Sequence, residues 1–154
     1  MSDYDELTNL IAAYGHVYDD GRLEEWTELF AHGSYTFFGK EFRGKELLDW
    51  IVPVSIRGAA RHVNFNIAIQ IDGDRATAKS DFVTCARDAT GVYKADVPEA
   101  IWGRYDDVFE KVDGKWRFVS RVDTVDNAER AAEMWERMRR NAVVHVERSA
   151  DLYK

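Results

Sequence analysis

Cysteine is nearly absent: Cys85 is the only one in 154 residues, so no intrachain disulfide can form and no zinc site built on several thiolates is available. That usage fits a reducing compartment. An excess of basic charge is missing too. The formal charge of −7 and the pI near 5.1 oppose long-range attraction to phosphate backbones or anionic lipid, although Arg137, Arg139 and Arg140 form a local basic cluster. No nucleic-acid partner is expected. No apolar run approaches the ~18 residues that a membrane span requires, and the N-terminus, Met-Ser-Asp-Tyr-Asp-Glu-Leu7, is acidic where a signal peptide is basic. A cytoplasmic protein without a membrane partner is predicted. His16, His32, His62 and His145 show neither His-x-His nor His-x3-His spacing, so no metal is expected. The chain has no Gly-x-Gly-x-x-Gly after a strand, no Gly-x4-Gly-Lys-Ser/Thr and no Gly-x-Ser-x-Gly elbow, which removes the sequence support for dinucleotide, P-loop phosphate and α/β-hydrolase sites.

The length and the 45% hydrophobic content predict one domain with a single core. Leu7, Leu10, Ile11, Tyr14 and Tyr18 recur at steps of three and four, which puts an apolar stripe on a helix of about residues 3 to 18. Asp20-Gly21 is a stop signal. Leu23, Trp26, Leu29 and Phe30 then continue the helical period, making a helical hairpin. Ser34 to Phe38 reads as an aromatic strand between Gly33 and Gly39, and Lys45 to Trp50 as a short helix before Pro53. Four long β-type runs follow: Arg61 to Ile71, Arg75 to Arg87, Glu99 to Lys111 and Lys115 to Val125. Asp72-Gly73 and Asp113-Gly114 are hairpin turn signals, and Asp88 to Pro98 is the expected long loop. Helices first and antiparallel strands after mean α+β: a cone in which N-terminal helices close a strongly curved, mostly antiparallel sheet. Residues 1–125 are expected to form the cone and 126–154 a C-terminal helical extension.

Two segments carry chemistry, Tyr14-Gly-His-Val-Tyr-Asp19-Asp and Arg61-His62-Val-Asn-Phe-Asn66. A carboxylate beside an imidazole holds its tautomer and stabilises its protonated form, so Asp19 next to His62 would make His62 a proton acceptor near neutral pH. Asp19 ends a helix, where a carboxylate sits unfavourably against the macrodipole, so a compensating partner is expected. Asp20, beside Gly21, reads as a solvated turn residue. Tyr14 reads equally as core packing or as a hydrogen-bond donor to a substrate oxygen. Tyr35, Phe37, Phe65, Trp102 and Tyr105 sit on strands that could line a cavity, with Asn66 nearby. Arg104 falls on the face opposite Tyr105, and Cys85 reads as a small apolar strand residue.

The order of Tyr-x4-Asp19, Leu-Glu-Glu-Trp26, Arg-His62-x3-Asn66, Ile-Asp-Gly-Asp-x-Ala76-x-Ala-x-Ser80, Gly103-x-Tyr105-x-Asp107 and Asp-Gly-Lys-Trp116-Arg-Phe resembles the SnoaL-like branch of the nuclear transport factor 2-like superfamily, over about residues 3 to 125. The similarity is to the branch that holds scytalone dehydratase, bile acid 7α-dehydratase and lindane dehydrochlorinase. It implies an Asp/His dyad that abstracts a proton without metal or organic cofactor, with Asp19 and His62 at the matching positions and Tyr14 where the dehydratases carry a tyrosine. The expected activity is that of a lyase, with dehydration first and other elimination, retro-aldol cleavage or isomerisation next, on a small apolar, aromatic or polycyclic substrate. The same Asp19-to-Trp26 segment also resembles the β subunit of aromatic-ring-hydroxylating dioxygenases, a non-catalytic alternative, as is a small-molecule-binding protein. Relatives of this kind pair through the outer sheet face, which implies a homodimer or homotrimer. Independently, Ala128, Ala131, Trp135, Met138, Ala142 and His145 form a heptad-like stripe, capped by Asp126 or Asn127, that could be a subunit contact or a lid.

Overall fold

In the computed structural model, which describes residues 1–53, 55, 60–87, 93–94, 100–130, 132–133 and 136, the chain opens with a capping box. Ser2 Oγ accepts the Asp5 N–H at 3.2 Å while the Asp5 carboxylate accepts the Ser2 N–H at 3.0 Å, satisfying two donors that a helix start leaves free. Helix α1 (Asp3–Asp19) follows, then α2 (Leu23–Glu28), β1 (Ser34–Phe37), β2 (Lys40–Arg43), α3 (Lys45–Ile51), β3 (Ala60–Asp72), β4 (Arg75–Arg87), β5 (Tyr93–Lys94), β6 (Ile101–Val112) and β7 (Lys115–Val125). The α+β reading holds. Helix α2 stops earlier than its period suggested, because Leu29 and Phe30 sit in the tight turns that follow Trp26 and Thr27. The strands β2 and β5 had no sequence signal of their own; β5 falls in the Asp88 to Pro98 segment, most of which lies outside the described residues.

The sheet runs β2-β1-β7-β6-β4-β3, with β5 on β4. Every pairing is antiparallel except β1 with β7, which is parallel. Val112 pairs with Lys115 across Asp113-Gly114, and both turn residues have positive φ, 51° and 75°, the geometry that matches the twist of a two-residue hairpin.

Two irregularities bend this sheet. In β3 the register with β4 shifts between Phe65 and Ala68, around Asn66 at φ 50°. In β7 the register with β6 shifts so that Val108 faces Ser120 while Phe109 faces Phe118, leaving Val119 as the extra residue. A bulge increases local twist and moves the following side chains to the other face. On β3 the inward set therefore changes from Ala60 and His62 to Ile67 and Ile69, and on β7 from Trp116 and Phe118 to Arg121 and Asp123.

The concave face packs on α1 through Leu7, Ile11, Tyr14 and Val17, with Phe30, Phe109 and Phe118 beneath them. Rings dominate this core: Phe30 and Phe109 each meet Phe118, with centroids 5.1 and 4.8 Å apart. Polar ties fix α1 over the sheet, since Glu6 accepts the Trp116 N–H at 2.9 Å and Lys111 pairs with Asp3 at 2.6 Å. After β7 the chain is helical again at 128–130. Asn127, expected as a cap, directs its amide onto β6, accepting the Trp102 N–H at 3.1 Å and donating to the Ala100 carbonyl at 2.9 Å. The stripe through Trp135, Met138, Ala142 and His145 lies outside the described residues.

Candidate active site

Tyr14, Gly15, Tyr18 and Asp19 share one face of α1 at the steps of three and four that a helix aligns. Gly15 sits one turn before Asp19, and a Cβ there would lie 3.3 Å from His62 Cβ. The missing side chain lets the helix approach the start of β3 closely. Asp19 bridges the gap with both oxygens: Oδ1 meets His62 Nδ1 at 2.6 Å, and Oδ2 accepts the His62 backbone N–H at 2.8 Å. Arg61 Nη1 stands 3.9 Å from Oδ2. These contacts compensate the carboxylate at the helix C-terminus. Asp19 and His62 are 43 positions apart in the chain, and their side chains are only 2% and 9% exposed. The Tyr14 and Tyr18 rings stand edge-on to the imidazole, with centroids 5.7 and 5.0 Å away. With Nδ1 engaged by Asp19, Nε2 is the nitrogen that can exchange a proton with a guest.

His62 opens onto a cavity of about 610 Å³, counted with its mouth, among whose lining residues are Tyr14, Tyr18, Trp26, Tyr35, Phe37, Trp50, Phe82, Tyr105 and Asp123. Part of its wall is polar. The Tyr14 hydroxyl donates to the Tyr35 hydroxyl at 3.2 Å, and the Tyr35 hydroxyl donates to Asp123 Oδ2 at 3.2 Å. Burial pushes all three tyrosines, Tyr14, Tyr35 and Tyr105, above the ordinary phenol range, so they stay neutral. Burial also pushes Asp123 up to about 7, against the Tyr35 hydrogen bond and the Arg121 charge, which pull it down. Behind this layer Arg121, fully buried, makes two 2.7 Å bonds to Asp107. Its guanidinium carbon lies 4.2 Å from both the Tyr14 and the Tyr105 ring centroids, which holds those rings in place.

The SnoaL-like domain model matches residues 1–122. The chain belongs to the SnoaL-like domain family. The cone agrees with solved structures. A Mycobacterium tuberculosis protein of unknown function is 28% identical, with a TM-score of 0.69, over 80% of this chain and 72% of that one. The β subunit of a candidate aromatic-ring-hydroxylating dioxygenase from Novosphingobium aromaticivorans is 26% identical, with a TM-score of 0.63, over 79% and 88%. A candidate scytalone dehydratase from the same organism is 22% identical, with a TM-score of 0.65, over 80% and 83%. Among curated proteins, none matches the chain.

In this SnoaL-like domain the structure brings Asp19, His62, Tyr14, Tyr35, Phe37 and Tyr105 around one cavity. It does not bring Phe65, Trp102 and Asn66 there. Phe65 and Trp102 pack together at 6.4 Å beside Val83 and Cys85, on the other face of the sheet. Alternation carries that signal: Trp102 has the opposite parity to Tyr105, and Phe65 the opposite parity to His62, in stretches without a bulge. Asn66 occupies the β3 bulge, exposed, and donates to Asp81 at 2.9 Å. Arg104 is exposed and pairs with Asp81 at 2.7 Å. Burial raises the Cys85 thiol, which keeps it protonated and inert. The sequence reading missed Asp123 and the Arg121–Asp107 pair, because an uninterrupted β7 would turn both Arg121 and Asp123 to solvent. Among the described residues no group of three or more His, Cys, Asp or Glu side chains is arranged to hold a metal ion, and no helix is long and apolar enough to cross a membrane.

Proposed function

We propose that this SnoaL-like domain is a lyase, a dehydratase in the first instance, that acts on a small apolar or aromatic molecule through the side chains of its cavity alone. His62 takes a proton from carbon through Nε2, and Asp19 holds the ring and stabilises its positive charge. The observation that carries this reading is the two-oxygen grip of Asp19 on His62 at the wall of an aromatic cavity. Positioned proton transfer supplies about 10² to 10⁴ in rate, and walls of low dielectric strengthen the electrostatics that supply more. Isomerisation and retro-aldol cleavage would use the same parts. The fold shared with a candidate scytalone dehydratase supports dehydration as the first reaction to test.

A β-hydroxy ketone of suitable size, 3-hydroxy-1-tetralone, loses water to give 1-naphthol, whose fluorescence reports turnover. His62→Ala should abolish turnover with the fold retained, and Asp19→Asn should lower kcat with little change in KM. Wild-type rates in both variants would refute the roles. A second reading rests on the 26% identity to a dioxygenase β subunit: a structural subunit beside a larger catalytic chain. Stable co-purification with an iron-containing partner, together with no turnover of any hydroxy ketone, would favour it. In either case we propose a homodimer or homotrimer, supported by the exposed Val63, Ile71 and Val122 on the sheet. Light scattering tests it.

A further inference from the structure

Thr84 lies directly across from His62 in the β3–β4 ladder. The His62 N–H goes to Asp19, and the His62 carbonyl oxygen would lie 3.8 Å from a Cβ at Gly15, so both groups point at α1 and away from β4. The two residues are therefore a non-hydrogen-bonded pair, the kind that brings opposite side chains closest, with Cβ atoms about 4.5–5.5 Å apart. Both line the cavity. Thr84 is 8% exposed, and its hydroxyl makes no hydrogen bond among the described residues. Trp26 Nε1 and Asp123 Oδ1 on the same lining are unpaired too, but they are sealed, and the Thr84 hydroxyl is not. Each phenol has one proton to donate, and those of Tyr14 and Tyr35 are committed to Tyr35 and Asp123. The oxygen-binding role expected for Tyr14 thus has no free proton behind it, whereas the wall beside the imidazole carries a hydroxyl that can donate and accept.

We propose that Thr84 binds the leaving oxygen: its hydroxyl hydrogen-bonds the hydroxyl of a β-hydroxy carbonyl substrate, so that the group to be expelled and the C–H to be broken meet the same stretch of wall. The inference rests on the proton-transfer reading and names the substrate feature that this wall recognises. His62 Nε2 takes a proton from the carbon next to the carbonyl. The electron pair of that C–H bond becomes the C=C bond as the C–O bond breaks, and the imidazolium gives its proton to the departing oxygen, which leaves as water. Thr84 keeps its own proton throughout. Its O–H points at the leaving oxygen as negative charge builds there, and a hydrogen bond to a charged acceptor is stronger than one to a neutral acceptor. No oxidant or further reactant enters the balance. A residue that serves first as base and then as acid needs the leaving oxygen within reach of the same imidazole, and Thr84 is the side chain placed across from it.

Two reactions on one ring system isolate the step. Deuterium exchange at C2 of 1-tetralone in heavy water, followed by NMR, needs only proton transfer, whereas dehydration of 3-hydroxy-1-tetralone also needs the hydroxyl to leave. Thr84→Val keeps the branched shape and removes the hydroxyl. It should slow dehydration by about tenfold, the worth of one hydrogen bond, and leave exchange within about twofold of wild type. Thr84→Ser should restore most of the dehydration rate. In His62→Ala, which should catalyse neither reaction, ligand-observed NMR reads binding alone. There 3-hydroxy-1-tetralone should bind about three- to fivefold more tightly than 1-tetralone, and adding Thr84→Val should abolish the preference. Dehydration at the wild-type rate in Thr84→Val, or an equal loss in both reactions, overturns the inference; the proton-transfer reading then still stands if His62→Ala abolishes exchange. A hydroxyl preference that survives Thr84→Val overturns the inference as well. If instead His62→Ala exchanges and dehydrates like wild type while Thr84→Val slows dehydration alone, the hydroxyl site stands and the proton-transfer reading falls.

Discussion

Asp107→Asn tests the buried charge that supports the site. Arg121 and Asp107 have no exposed side-chain surface, and their two bonds are 2.7 Å each. The substitution removes the negative charge and keeps the shape. Arginine cannot shed its proton, so a full positive charge stays against the Tyr14 and Tyr105 rings, which compensate it only in part, by about 2 kcal/mol or more each when desolvated. Breaking a buried pair from one side costs about 3–5 kcal/mol, a large share of the roughly 5–15 kcal/mol that stabilises a domain. Urea unfolding followed by tryptophan fluorescence should show a midpoint about 2 M lower at an unchanged slope. The loss should be larger at pH 5 than at pH 8, because ionised Asp123, which interacts with Arg121, can take over part of the compensation once it loses its proton. Replacing both partners, Arg121→Met with Asp107→Leu, should come within a few kcal/mol of wild type, since no lone charge remains buried. A single variant within 1 kcal/mol of wild type at both pH values would refute the view that this pair is a mutually dependent buried couple.

Asp123→Asn should stabilise the fold at neutral pH. The native carboxyl holds its proton up to about 7 instead of the ordinary 3.8, so the folded state binds more protons between those values and stability falls as pH rises through them. The difference corresponds to about 4 kcal/mol, and the gain of Asp123→Asn over wild type should grow from pH 4 to pH 8 in parallel denaturant titrations; a gain constant with pH would count against the raised carboxyl. Gly15→Ala contributes about 1 kcal/mol of helix propensity, yet its methyl would meet His62 Cβ at 3.3 Å, so net stability should change by less than about 1 kcal/mol while the Asp19–His62 contact lengthens. An imidazole N–H resonance that keeps its wild-type downfield position in this variant would show that Gly15 does not set the contact.

The local signals in the chain were sufficient for most of its elements, β2 and β5 excepted, while the pairing of Asp19 with His62 came from the resemblance rather than from either segment alone. The three- and four-residue stripe set α1 and carried Tyr14 and Asp19 on one face, and Asp113-Gly114 set the β6–β7 hairpin. Side-chain alternation, followed strictly, separates Tyr105 from Trp102. What only the tertiary structure decided is which residues face the cavity beyond the bulges. In Val119-Ser-Arg-Val-Asp123 the polarity favours Val122 inward, and a regular strand would obey it. The extra residue at Val119 instead turns Arg121 and Asp123 into the core, because one inserted residue shifts a period of two onto the other face. Asn66 does the same on β3. Bulges are set by how a sheet must bend to close on α1, a demand made by distant parts of the chain, so the second polar patch of the cavity exists only once the fold does.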